Sequence, residues 1–546
     1  MKPLSRMQVL EKQNRDLKAR LENREGKAEI ALIAAEDEIK VMSGQLRGCN
    51  ATIAMLQKEI DNLIRELDTA KDLREETLRL RIEAAVGEAT APLQEELAKA
   101  NFEIARLKAI INKDSSNSSK PSSKNGFRKI PNSREKSGKP RGGQLGHPGH
   151  RLGLPENIDE LVANGIVQKR VVDHTGGSTE YVSRYVIDVE VVTTITEHRY
   201  AVGEQLPESQ FNEVCYGENI KALSVLMLSE GIIAELRFTK MLEGITQGIV
   251  MISPATLEKF QSQFAGKLES SGELEAINED LLNGEVINTD DTPLRCAETA
   301  EYLEDGTEVV RSEAGKSFSA TLRTHSNETA TLYTVNPKKD MDGIERDGLL
   351  PRFFGKLSHD HESKFYNYGS QNSTCCEHLC RDLVGLRDLQ MISWAEYMRA
   401  FIVGMNTYKN CDLDKGVKVC DPEVLAAFEK TYDDLLERGR NDFGQMKKGD
   451  FGYDEFRKML KRLANYKDNY LLFIRDYEVP WSNNLSERDL RPAKTKENVS
   501  VLFRSWHGIK NYARIRSFIS TVKKRGMDLF SAISKVNKGI EVLRRA

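Results

Sequence analysis

Three carboxylates sit where a chain could gather hard oxygen ligands. Asp290 closes the apolar run "EVINTD" and Asp360 closes "GKLSHD". Glu487 opens "NNLSERDLR", where Ser482 to Asn484 offer side chains that can cap the first turn of a helix. Two aspartates at strand ends and a glutamate on a helix can hold two Mg²⁺ ions. Such a pair activates a water or a 3′-hydroxyl and stabilises the leaving oxygen of a phosphodiester. The chain has 83 acidic residues, so many such triplets exist and spacing alone does not single this one out.

The elements around these acids were read from composition and period. Residues 1–112 are rich in Glu, Lys, Arg, Leu and Ala. Leu10, Asn14, Leu17 and Leu21 alternate by four and three, as do Leu56, Ile60, Leu63 and Leu67, and the run Leu93, Leu97, Ala100, Ile104, Leu107 and Ile111 holds the pattern longest. That seam needs a second helix, which predicts a coiled coil broken near Gly48 and near 87–92, its partner helix supplied by homo-oligomerisation or by a local antiparallel hairpin. Residues 113–155 are dense in Ser, Asn, Gly, Pro, Lys and Arg. They form a basic flexible arm whose Lys129, Lys139, Arg141, His147 and His150 suit phosphates. Its glycines, Gly142, Gly143, Gly146 and Gly149, do not make a phosphate loop, since no strand precedes them and no Walker lysine follows. A small β-containing module is expected over 156–215 from its Val- and Thr-rich runs, and a helical module over 216–280. "KSFSATLRTHS" and "TATLYTVNP" read as strands, 376–475 as helices, and the last 60 residues as basic helices.

Bulk properties exclude several classes. The 546 residues carry a net charge of only −3, which neither supports nor excludes nucleic acid, because a basic stripe can be offset elsewhere. No apolar run approaches 18 residues, so no membrane span is expected. Eight scattered cysteines and a charged, helix-like N-terminus point to reduced thiols in a cytoplasmic protein. His359, His361, Cys375, Cys376, His378 and Cys380 cluster locally, without zinc-ribbon spacing. Core histidines and buried thiols are the expected reading, with His378 and Arg381, three apart, able to support the acids from one helix face.

The whole pattern resembles the transposases of the IS66 insertion-sequence family. "KDSSNSSKPSS" is similar to the Asn-Ser-Ser-Lys-Pro stretch after that family's coiled coil, and "GKPRGGQLGHPGHRL" to its Gly-His segment. "DDTPLR" stands where the family has Asp-Glu-Thr-Pro, and "LSHDHESKFYNYG" resembles its second-aspartate segment. "CCEHLCRDL" resembles its Cys-x-x-His-x-x-Arg segment, and "NNLSERDLRPAKTKENVSVLFRS" its Asn-Asn-x-x-Glu-Arg-x-Leu-Arg-Pro segment.

The resemblance implies a multidomain DDE transposase with an RNase H-like α/β core. That core would span 281–375 and 476–546, interrupted by a helical insertion over 376–475. Asp290, Asp360 and Glu487 would be its catalytic acids and metal ligands. Asp290 aligns with the family's first acid, while Asp291 replaces the usual glutamate, so the choice between these neighbours stays open. Arg488, Arg491 and Arg504 would meet the DNA backbone. Asn483 and Asn484 would cap the helix and orient neighbours. Two Mg²⁺ ions are implied, with Mn²⁺ as an alternative, and zinc is not expected, since 156–214 contain no cysteine. Implied partners are element-end and target DNA, with accessory element-encoded proteins. The competing reading is a transposase-derived DNA-binding or assembly protein that has lost catalysis.

Overall fold

The computed structural model describes residues 38–62, 95–108 and 154–544, apart from a few positions within those ranges. The basic arm, with Lys129, Lys139, Arg141, His147 and His150, lies outside the described residues, as does the expected break over 87–92. Residues 38–62 and 95–108 are helical. Gly48 lies inside helical backbone, not at a break as the sequence suggested. One glycine costs a helix only about 1 kcal/mol relative to alanine, which its neighbours outweigh. In the second stretch Phe102 meets Phe451 edge-on, with ring centroids 5.9 Å apart, and Leu107 is buried.

Over 156–215, where a β-containing module was expected, the described residues form a short helix, α1 (Ile158–Ala163), and no strand. Val171, Val186 and Val192 stay exposed. Arg170 and Glu190 join in a bidentate ion pair. β-propensity describes a fit to a pleated surface, and no such surface is offered to these valines among the described residues.

A helical module follows as expected: α2 (Glu218–Ser229), α3 (Glu235–Ile245), α4 (Pro254–Ser270) and α5 (Glu273–Asn283). Ser253 caps α4 by accepting the Thr256 N–H, and Pro254 occupies the first turn, where its missing N–H costs nothing.

The central sheet takes its strands from β1 (Val286–Cys296), β4 (Phe318–Ser326), β5 (Thr331–Asn336), β6 (Lys356–His359) and β7 (Gln371–Thr374), with β2 (Glu298–Tyr302) and β3 (Glu308–Ser312) forming a separate hairpin. Strand order is β5-β4-β1-β6-β7; β1, β4 and β5 pair antiparallel, while β6 and β7 run parallel to β1. A seven-residue helix, α6 (Met341–Asp347), links β5 to β6.

Residues 376–475 hold α7 (Cys376–Asp388), α8 (Trp394–Asp414), α9 (Pro422–Gly444), α10 (Tyr453–Asn465) and α11 (Lys467–Arg475). Their own core is built from Trp394, Tyr432, Phe456, Leu463 and Tyr470. They are not a free appendage: buried Lys409 of α8 donates to the carbonyls of Phe473 and Val479, fixing the segment that leads back to the sheet. The chain ends with α12 (Asn484–Ser500), α13 (Trp506–Lys524) and α14 (Leu529–Asn537). α13 packs its Ile515, Phe518, Ile519 and Val522 into the core shared with α4, α5 and the sheet.

Candidate active site

The strand β1 carries Asp290 in its middle, not at its end, since pairing with β4 continues to Cys296. Residues 288 and 290 share one face of the strand, and 289 and 291 the other. On the first face α12 lies across the sheet. Buried Asn483, which immediately precedes α12, accepts from Asn288 Nδ2 at 3.0 Å and donates to the Thr289 carbonyl at 2.8 Å. Its amide also reaches Asp360 Oδ1 at 3.5 Å, and its backbone N–H points to Cys375 Sγ at 3.3 Å. Asn483 therefore stands at the N-cap position without capping by its side chain, which orients the sheet and the second acid instead. Asn484 is exposed.

About two turns of α12 continue that attachment. Ser486 Oγ meets Thr324 Oγ1 at 2.6 Å, Asp489 accepts from Ser326 and Thr331 hydroxyls at 2.7 and 2.9 Å, and Leu490 and Ala493 enter the apolar core. Lys524 pairs with the same Asp489 carboxylate at 2.9 Å. Spaced by three and four, these residues bury one stripe of the helix. Glu487 is held at the border of that stripe, while Arg488 and Arg491 project from the exposed side.

Asp360 is the residue after β6, placed beside β1 by the parallel pairing of His359 with Thr289. His378, in the first turn of α7, bridges the second and third acids: its Nδ1 is 3.2 Å from Asp360 Oδ1 and 3.7 Å from Glu487 Oε1. Cys375 Sγ lies 3.4 Å from the same nitrogen. Burial drives the His378 pKa down, but the bonds to Asp360 and Cys375 and the charge of Asp360 outweigh it, and the imidazole is pushed up to about 11. Asp360 responds in the opposite sense. Burial raises it, but the bonds from His378 and Asn483 hold its carboxyl below the ordinary value. Asp290 has no such cation. Burial, followed by the charges of Asp360, Asp291 and Glu487, pushes it well above the usual carboxylate range.

Asp291, on the opposite face, is buried among cations. Lys339 Nζ lies 2.6 Å from its Oδ1, Lys364 Nζ pairs with its Oδ2, and Arg323 Nη2 lies 3.7 Å away. Both lysines also pair with Glu362, so this group ties β1 to the loop that follows Asp360.

The remaining residues sort less as the sequence suggested. Arg381 turns to Glu377 on its own helix, at 3.5 Å, rather than to the acids. Arg504 is exposed between α12 and α13. The basic tail is largely committed within the fold: Lys510 pairs with Glu308, Arg514 with Glu269, Arg516 and Lys523 with Glu230, and Arg525 with Asp280. Sequence reading missed Cys375 and Asp489 as neighbours of the site. The only signal was their place inside the two densest motifs, "CCEHLCRDL" and "NNLSERDLRP".

A cation suits this pocket. Glu487 Oε1 is buried with no hydrogen-bond partner, and Asp290 is surrounded by like charge. Oxygen donors from three carboxylates match a hard divalent ion. No helix among the described residues is long and apolar enough to cross a membrane.

Comparisons with known proteins bear on the same segments. Residues 37–153 match a family of unknown function (DUF6444). No curated protein and no solved structure matches the chain. Residues 215–511, more than half the chain and all of the elements that carry the acidic pocket, match the family described as Transposase IS66 family. This chain belongs to the IS66 transposase family.

Proposed function

We propose that the chain is a DDE transposase that cleaves the ends of an insertion element and joins the resulting 3′-hydroxyls to target DNA by direct transesterification. The observation that carries this reading is the convergence of Asp290 from β1, Asp360 from the end of β6 and Glu487 from α12 on one side of the sheet. The sheet order, with β1 between an antiparallel and a parallel neighbour, supports reading 281–375 and 476–546 as an RNase H-like core with 376–475 inserted.

Asp290, Asp360 and Glu487 would hold divalent ions, Mg²⁺ by preference for an all-oxygen donor set and Mn²⁺ as an alternative. When bound, such ions lower the pKa of the attacking water or 3′-hydroxyl and stabilise charge on the leaving oxygen. The protein's own share is positional. Asn483 fixes Asp360 relative to β1, and the buried stripe of α12 fixes Glu487 relative to both. His378 offsets the charge of Asp360, its nearer partner at 3.2 Å. Arg488 and Arg491, exposed within a turn of Glu487, are placed to pair with phosphates flanking the scissile bond. The heptads of 1–112 fit a homo-oligomer that holds two ends together, and the basic arm of 113–155 fits DNA contact.

The test is Mg²⁺-dependent cleavage and strand joining on DNA carrying the cognate ends, comparing wild type with Glu487→Gln. Cutting by wild type, with a variant that binds DNA but does not cut, is expected. Equal cutting by both removes Glu487 from the metal site. Binding without cutting by either points to a DNA-binding derivative or to a missing accessory protein.

A further inference from the structure

One corner of the acidic pocket has chemistry that an all-oxygen site does not need. Asp360, Cys375, His378 and Glu487 each offer one ligand atom, and these four atoms lie within 4.8 Å of one another. The distances from His378 Nδ1 are 3.2 Å to Asp360, 3.4 Å to Cys375 and 3.7 Å to Glu487. Zinc bonds of roughly 2.0 Å to oxygen, 2.0–2.1 Å to nitrogen and 2.3 Å to sulfur give tetrahedral ligand–ligand edges of about 3.3–3.6 Å. The three edges at His378 bracket that range, and the remaining edges, all within 4.8 Å, would shorten by up to about 1.5 Å to close a tetrahedron.

Other details favour a soft cation here. The Asn483 N–H points at Cys375 Sγ, where it would stabilise a thiolate. Glu487 Oε1 is buried and has no hydrogen-bond donor. Two of the ligands come from the ends of rigid elements: Cys375 follows β7 directly, and His378 lies in the first turn of α7. Thiolate and imidazole favour zinc over magnesium, whereas Asp290 is absent from this four-atom group and stays with the oxygen-only side.

We propose that Asp360, Cys375, His378 and Glu487 form a zinc-binding site that overlaps the acidic pocket, so that Zn²⁺ removes Asp360 and Glu487 from Mg²⁺ and switches the enzyme off. Binding releases the protons of the Cys375 thiol and His378 as the ligands become thiolate and neutral imidazole. Zinc binding stands without the transposase reading; inhibition rests on it.

The experiment uses the full chain without DNA. Co²⁺ is titrated as the spectroscopic stand-in for Zn²⁺, and Zn²⁺ stoichiometry is measured by competition with a chromophoric chelator. Wild type should show a thiolate-to-Co²⁺ charge-transfer band with tetrahedral d–d bands, and take up one Zn²⁺ that Cys375→Ser loses. Glu487→Gln should weaken uptake at least tenfold. Cys411→Ser, which removes an exposed thiol elsewhere, should leave both readouts unchanged. Circular dichroism of Cys375→Ser separates loss of the site from loss of the fold. Conservative Cys375→Asp, which keeps an anionic ligand, should bind Zn²⁺ without the charge-transfer band. An absent band, or Zn²⁺ uptake equal in wild type and a folded Cys375→Ser, overturns the proposal. Zn²⁺ uptake by a wild type that never cuts DNA would leave the site standing and count against the transposase reading alone. If wild type does cut, inhibition by Zn²⁺ should be relieved by added Mg²⁺; inhibition unaffected by Mg²⁺ overturns the overlap.

Discussion

Asp290 and Asp291 are consecutive on β1, and they face opposite electrostatic surroundings. Asp290 looks toward Asp360 and Glu487, and its carboxyl is pushed up by burial and by their charge. Asp291 looks toward Lys339, Lys364 and Arg323 and is fully matched by cations within the protein. Strand alternation alone separates them, because successive side chains point to opposite sides of a sheet. One face gathers three carboxylates with one histidine between two of them, a net negative charge that a cation would relieve. The other joins β1 to β4, to the segment after β5 and to the loop after Asp360 through ion pairs. A site and its scaffold are thus built from adjacent, chemically identical residues.

Breaking each face should have different consequences. The largest effect is expected for Asp290→Asn. Cleavage should fall at least about 100-fold, since charge stabilisation by a held metal is worth several kcal/mol. Its melting temperature should be unchanged or higher, because a repelled buried charge is removed. Calorimetry beside a cleavage assay checks both, and a marked loss of stability would mean that Asp290 belongs to the scaffold.

Next in size is Asp291→Asn, which leaves Lys364 and Arg323 short of a counter-charge in a buried setting. Unfolding in urea should show a loss of about 3 kcal/mol. Full stability in this variant would show that Asp347 and Glu362 suffice as partners, and the contrast between the two faces would disappear.

Asn483→Ala is expected to act on both sides more weakly. It strips the Asn288 amide and the Thr289 carbonyl of their partner, costing about 1–3 kcal/mol. It also frees Asp360 from its orienting amide, so the Mg²⁺ concentration needed for half-maximal cleavage should rise. A stability loss with no change in metal requirement would limit Asn483 to the scaffold.

The smallest effect at neutral pH concerns His325, which shares the Asp291 face through its register opposite Thr289. Burial, then the charge of Arg323, lowers its pKa to about 3. The folded protein therefore binds fewer protons than the unfolded chain between about pH 3 and the ordinary histidine value of 6.5. Stability contributed by neutral His325 is present above that window and lost as pH falls through it, by about 1.4 kcal/mol per pH unit. Denaturant titrations at pH 7 and pH 5 should show this slope reduced in His325→Phe. An unchanged slope would assign the acid sensitivity elsewhere, half-buried His361 included, whose pKa burial lowers to about 4.

Much of the core was legible from local signals. The strand runs "KSFSATLRTHS" and "TATLYTVNP" became β4 and β5, and the helical reading of 216–280 and 376–475 matches α2 to α5 and α7 to α11. These rest on period and punctuation, which act over a few residues. The valine runs of 171–195 carried an equally strong local signal and formed no strand among the described residues, because a strand needs a neighbour that composition does not specify. The length of β1 was misjudged for a related reason. Asp290 read as the end of the strand, yet pairing with β4 carries it on to Cys296.

By itself, the sequence determined which chemical groups exist and how they are spaced along elements: an aspartate pair on an apolar strand, a second aspartate after another, a glutamate one turn into a helix beside two arginines, and a Cys-x-x-His at a helix start. Only the tertiary structure decided which of them meet. It put Asp290 rather than Asp291 on the side of Glu487, brought Cys375 and His378 to that corner, and spent most of the tail's basic residues on ion pairs with acids more than 150 positions away. The physical reason is that charge and hydrogen-bonding energies depend on distance in space over a few ångströms, and separation along the chain carries almost no information about that distance.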